Sequence, residues 1–427
     1  MPYVARFREV LFKRNFFFLW LGQIISQLGD RLDQMALIAL VYMRAPGSTT
    51  EIAKVLSFTI IPVFLIGPIA GVYVDRWDRR RTMYICDFLR ALLVLLIPAF
   101  LFYSRSLAPI YCIVFAVFCI GRFFVPAKLS ILPELVASKD LLIANSLVNT
   151  TGMIAAIVGF GVSGIVVELL GPRAGFYIDS ASFFISALLI FLIAKKQTAK
   201  VDLREVSKEI VELIGKSVFQ EIKEGIQYFL RNKNIRFTAV LIFTLWSALG
   251  AVYVVTIVFV QKYLGSATKD LGLLAMFLGV GLFSGSLAYG RFGHKVSQYK
   301  TIFVSLVLSG IMLVVFALTL QRYPIFSVAA VLAFALGLLV APIMIAANTI
   351  VHKVSESHML GKIFSSMEIV MHLGFLAFML LSSVLAERFS HGGILIAVGA
   401  LLSVLGAVEL VFHRRISWFK HDQAQRA

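Results

Sequence analysis

Apolar runs of membrane-spanning length recur along the whole 427-residue chain, each bounded by charges or by Gly and Pro. They lie near 16–43, 50–74, 82–104, 107–126, 141–169, 173–194, 235–263, 268–290, 300–320, 324–350, 362–386 and 391–412. A helix needs about 20 apolar residues to cross a hydrocarbon core of ~30 Å, and in lipid its backbone groups must be satisfied internally. The pattern therefore predicts an all-α integral membrane protein with about twelve transmembrane helices. Composition agrees: 59% of residues are hydrophobic and 15% charged, whereas soluble domains carry about 45–50% apolar residues. Residues 1–20 lack a short apolar core followed by a small-residue cleavage site, so the first run is read as a retained helix.

The net charge of +17 invites a nucleic-acid reading, which its distribution excludes. With both termini inside, 29 Lys and Arg fall on the inner face and 8 on the outer. That bias orients an even-numbered bundle with both ends cytoplasmic, in the cell inner membrane. Cys86, Cys112 and Cys119 lie within apolar runs without CxxC spacing. Neither a disulfide nor a metal site is expected.

Between the sixth and seventh runs the chain turns polar from Lys195 to Arg236. Val206, Ile210 and Leu213, then Ile222, Ile226 and Phe229, recur at helical spacing among Lys and Glu, which predicts amphipathic helices on the inner membrane face. The expected organisation is a six-helix bundle over 1–194, a cytoplasmic linker over 195–234, a second six-helix bundle over 235–412 and a tail over 413–427. Ser286-x-x-x-Gly290-Arg291-x-Gly293-His294-Lys295 repeats, in degraded form, the basic turn that follows the second run. Glycines gather in the fifth run (Gly152, Gly159, Gly161, Gly164) and the eighth (Gly272, Gly279, Gly281, Gly285), where small residues let helices approach closely.

A charge at mid-bilayer costs about 2.5–3.5 kcal/mol on insertion scales, so each one asks for a reason. Gln23, Gln27, Asp30 and Gln34 line one helical face, with Arg31 and Asp33 beside them. Asp30 lies roughly 21 Å along its run at 1.5 Å per residue, near the bilayer centre. The stripe is a candidate substrate and proton site, with an internal salt bridge as the alternative. Arg31 is more readily bonded to Gln27 or to another helix than to its neighbour Asp30. Glu368 and His372, four apart, could relay a proton or form a locking hydrogen bond. Asp87 and Arg90, three apart, read as a structural ion pair. Asn145, Asn149 and Asn348 suit interhelical hydrogen bonds.

The turn after the second run, Gly71-Val-Tyr-Val-Asp75-Arg76-Trp-Asp-Arg79-Arg80-Arg81, places four arginines in six positions behind an Asp. It resembles the signature loop between helices 2 and 3 of the major facilitator superfamily. Asp87-Phe-Leu-Arg90-Ala91, Pro126-Ala127, Leu132-Pro133-Glu134-Leu135-Val136, Ala144-Asn145-Ser146-Leu147, Glu224-Gly225-Ile-Gln-Tyr228-Phe-Leu-Arg-Asn232 and Gly361-Lys362-Ile363-Phe364-Ser365 are similar to its drug-efflux-like branch of macrolide and enterobactin exporters. Asp78 stands where that loop usually carries Gly, and Gly159-Phe-Gly161-Val-Ser-Gly164 lacks the proline of the antiporter helix.

The resemblance implies two pseudo-symmetric six-helix bundles that rock around a central site lined by the first helix. It implies export of a small amphipathic compound in exchange for protons, by a monomer embedded in the lipid bilayer. Gly71, Asp75, Arg76, Arg79 and Arg80 would form the gating loop, Asp75 pairing with arginines and with the N-terminus of the eleventh span. A lipid or lysophospholipid translocator is the nearest alternative; a metal-ion exporter and a non-transporting scaffold are others. Nothing resembles an ATP-binding loop, a nucleophile–base pair or a metal constellation, so neither enzymatic activity nor a cofactor is expected.

Overall fold

The structure, a computed structural model, describes residues 2–67, 70, 73–74, 77–103, 106–194, 233–354 and 360–413. These form twelve α-helices and no strand. In chain order they are α1 (Pro2–Leu11), α2 (Arg14–Arg44), α3 (Thr49–Leu65), α4 (Arg79–Tyr103), α5 (Ala108–Leu135), α6 (Leu141–Phe191), α7 (Lys233–Leu264), α8 (Lys269–Phe292), α9 (Gln298–Arg322), α10 (Phe326–Val354), α11 (Leu360–Arg388) and α12 (His391–His413).

Nine of the described helices, α4 through α12, are long and apolar enough to cross a membrane. α6 supplies two spans, because its 51 residues bend at Gly171 (φ 82°, ψ 165°) ahead of Pro172. A residue with a Cβ rarely adopts that φ, and Pro172 has no N–H to continue the preceding arm. α2 carries the polar stripe and α3 is described for only 17 residues, Thr49–Leu65, so neither counts among the nine. With them the protein is an all-α membrane protein of twelve spans. α1, ahead of the first apolar run, is a helix whose Val10 is buried.

The chain divides into two compact units, Met1–Arg44 with Lys54–Glu221, and Ala45–Ala53 with Ile222–Ala427. The junction falls within 195–232, outside the described residues, as do the amphipathic helices expected there. In the first unit α2 packs on α6, and α4 packs on both α5 and α6. Phe16 and Leu19 of α2, Met83 of α4, Phe124 and Ile131 of α5 and Ile190 of α6 meet in one core cluster.

The start of α4 explains how the chain tolerates Asp78 in place of glycine. Its Oδ1 accepts from the Arg81 backbone N–H at 2.9 Å, satisfying a donor that the first helical turn leaves open. Asp78 is an N-cap, so the turn needs no left-handed residue. The neighbouring arginines tie this end to other helices. Arg79 pairs with Glu134 of α5. Arg80 donates to the Ile190 carbonyl at 3.3 Å and to Phe191 O, capping the C-terminal carbonyls of α6. Lys13, between α1 and α2, donates to Asp140 at 2.7 Å just before α6.

In the second unit α8 packs on α10, α9 on α10 and α12, and α7 on α11. Glycines bring these backbones together. A Cβ built on Gly285 would lie 2.6 Å from the Leu338 carbonyl, and one on Gly281 or Gly337 would overlap the facing helix backbone. Gly250 of α7 lies likewise against the Phe375 backbone of α11. Close approach of this kind substitutes for hydrophobic driving force, which lipid does not provide.

Candidate functional site

α2 carries its polar stripe against α6, and the glycines of α6 make room for it. A Cβ on Gly152 would lie 3.1 Å from Gln27 Oε1, and one on Gly159 would lie 3.0 Å from Arg31 Cγ. Two of the four fifth-run glycines thus sit where long polar side chains of α2 lie. Arg31 places its guanidinium 4.7 Å from the Phe160 ring centre and donates to Gln34 Oε1 at 3.1 Å. Trp20 Nε1 donates to Thr151 Oγ1 at 3.0 Å, another bond between these helices.

Asp30 reaches a different helix. Arg90 of α4 donates to Asp30 Oδ1 from Nη2 at 2.6 Å, a charge-assisted bond. The Arg90 Nη1 lies 3.6 Å from Asp87 Oδ1, so the sequence-adjacent pair exists but is the looser of the two. Ser186 of α6 donates to the other Asp87 oxygen at 2.6 Å. The guanidinium carbon lies 3.8 Å from the Phe183 ring centre, which fixes its plane. Lys128 of α5 also stands within the field of Asp30.

Exposure separates the members of this network. The Asp30 side chain is 36% exposed, against 10% for Arg90 and 0% for Asp87. Arg90 is therefore held from the buried side by Asp87 and Phe183 while its outer bond goes to the more exposed of its two carboxylates.

Asp33 and Asp179 lie beside it, both buried. The sequence reading did not single out Asp179, although a lone carboxylate in the 173–194 run was as conspicuous as Asp30. Of the Glu368 and His372 pair, His372 Nδ1 lies 2.8 Å from the Glu368 backbone carbonyl, and the ring packs 5.6 Å from that of Trp246. Asn145 bonds back to Leu141 O of its own helix at 3.0 Å. Gly71, Asp75 and Arg76 of the expected gating loop lie outside the described residues.

The comparisons with known proteins agree with this architecture. The family model described as Major Facilitator Superfamily matches residues 19–287 and 248–422. The putative bacilysin exporter BacE of Bacillus subtilis (strain 168) is 26% identical over 83% of this chain and 84% of its own length. Macrolide efflux protein A of Streptococcus pyogenes is 23% identical over 93% and 95%. Among solved structures, a POT family transporter bound to 5-aminolevulinic acid shares the fold with a TM-score of 0.70 at 14% identity, covering 94% of this chain and 96% of that one. With a family model covering nearly all twelve spans, the chain belongs to the major facilitator superfamily of membrane transporters.

Proposed function

We propose that this transporter exports a small amphipathic compound from the cytoplasm in exchange for protons, with Asp30 as the group that meets both. The observation that carries the reading is the 2.6 Å bond between a solvent-reachable mid-span carboxylate and a guanidinium held from behind. A charged Asp30 closes on Arg90, and a protonated Asp30 releases it, so proton occupancy sets the local charge that a substrate encounters. Export is supported by relatives named for bacilysin and macrolide efflux. Alternating access of two bundles supplies the transport step.

In proteoliposomes with an imposed pH gradient, Asp30→Asn is expected to reduce accumulation of a radiolabelled macrolide, or of amphipathic dyes, to that of protein-free vesicles. Asp30→Glu should keep part of it, since the carboxyl remains. Full gradient-driven accumulation by Asp30→Asn would overturn the assignment.

The proposed orientation places both termini in the cytoplasm, from the charge bias. On a cysteine-free background, Arg81→Cys, Gly215→Cys and Lys420→Cys should resist an impermeant thiol reagent in intact cells, and Pro46→Cys should react. Labelling of the first three would reverse the topology.

A further inference from the structure

α2 and the second arm of α6 meet along a line of small residues. Gly22 lies against Ser186, Gly29 against Ser182 and Asp179, and Gly175 against Leu32 and Ala36, so the two backbones run antiparallel and close. A Cβ on Gly29 would overlap Asp179 Oδ1, which means this carboxyl is pressed against the α2 backbone. Asp33 follows Gly29 by four residues on the same face.

Asp33 is 6% exposed and Asp179 0%, and Asp33 Oδ1 and Asp179 Oδ2 are buried with no hydrogen-bond partner. Each carboxyl lies in the field of the cluster: Asp30 and Arg90 act on both, and Asp33 acts on Asp179. Arg90 is already shared by Asp30 and Asp87. Arg31 of α2 is engaged with Phe160 and Gln34, and Lys128 of α5 reaches the cluster through Asp30. Ser182 gives Asp179 one weak hydroxyl bond at 3.3 Å. Two anionic carboxylates in a dry site, with only a shared Arg90 and one weak hydroxyl bond between them, would bear a desolvation penalty that is offset only in part.

We propose that Asp33 and Asp179 form a proton-binding site of their own, one proton held between the two carboxyls, distinct from the Asp30–Arg90 pair. Uptake forms an O–H bond on one carboxyl from aqueous hydronium, and that O–H donates to an oxygen of the other. Release breaks the same bond and returns the proton to water. No other atom changes. The site's role in transport rests on the proton-exchange reading above; its existence does not.

The test uses purified protein in liposomes and contains no transport step. Infrared difference spectra between mildly acidic and alkaline buffer should show a protonated-carboxyl C=O band that shifts in heavy water. The band should be present in Asp30→Asn, which removes any contribution from Asp30, and absent when Asp33→Asn or Asp179→Asn is added to that variant. A second measurement needs no variant: dicyclohexylcarbodiimide, which traps protonated carboxyls in membranes, should modify the unaltered protein at Asp33 or Asp179, as mapped by peptide mass spectrometry. A band that persists in both double variants, or an adduct found at Asp30 and at neither partner, would overturn the site. Band and adduct present without gradient-driven accumulation would instead refute proton exchange and leave the site standing.

Discussion

Arg90→Leu is expected to leave almost no folded protein in the membrane. The substitution strands Asp87, fully buried, and Asp30 beside it, removing the guanidinium that both share. Breaking a buried ion pair from one side costs about 3–5 kcal/mol, a large share of the stability of any helical bundle. Arg90→Lys should fall between the two, since the charge stays while the planar contact with Phe183 at 3.8 Å is lost. The same leucine placed in an Asp30→Asn, Asp87→Asn background should recover much of the loss, because no carboxylate is then left without its cation. Detergent-solubilised fusions followed by fluorescence-detected size exclusion and thermal melting read all three. Wild-type melting of Arg90→Leu would mean that water, not the guanidinium, satisfies these carboxylates.

The second large effect belongs to the other unit. Gly281→Leu must push α8 away from α10, because the atoms it meets are the backbone of Phe334 and Leu338 rather than the tip of a flexible chain. Overpacking where neighbours can yield costs about 1–3 kcal/mol, and rigid backbone yields less. Gly290→Ala, in the same helix with nothing within 4 Å of a built Cβ, is the control and should be silent. The melting temperature of the purified variants decides it; a Gly281→Leu protein as stable as Gly290→Ala would show that α8 and α10 do not depend on this approach.

Features with a period within one helix were legible from the chain alone. The runs that became α7 to α12 are visible as hydropathy, the Gly171-Pro172 break separates two runs before any coordinates, and the Gln23 to Gln34 stripe follows from spacing. Partners that lie across helices were not legible. Asp87 and Arg90 announce each other by their three-residue separation, yet the shorter bond of Arg90 runs to Asp30, sixty residues away, and spacing carries no information about that. Glu368 and His372 have the spacing of a side-chain pair, but the 2.8 Å approach of the imidazole Nδ1 to the Glu368 backbone carbonyl could not be read from spacing. Asp78 looked like a defect in a glycine turn because the alternative, capping α4, depends on where the helix begins. α1 escaped notice because it is only ten residues long and precedes the first run of spanning length.

The bend at Gly171 also governs how this protein is made. With no loop between its arms, α6 offers the insertion machinery only Glu168 and Arg173, either side of the bend, to leave at the surface while one arm waits for the other. The second arm carries Asp179 with Ser180, Ser182 and Ser186, and a lone aspartate there raises the insertion free energy by about 2.5–3.5 kcal/mol. The first arm is long and mostly aliphatic. The two are therefore committed to enter lipid as one helical hairpin, the first arm drawing the second in after it, so that Asp179 reaches the hydrocarbon already joined to its neighbour.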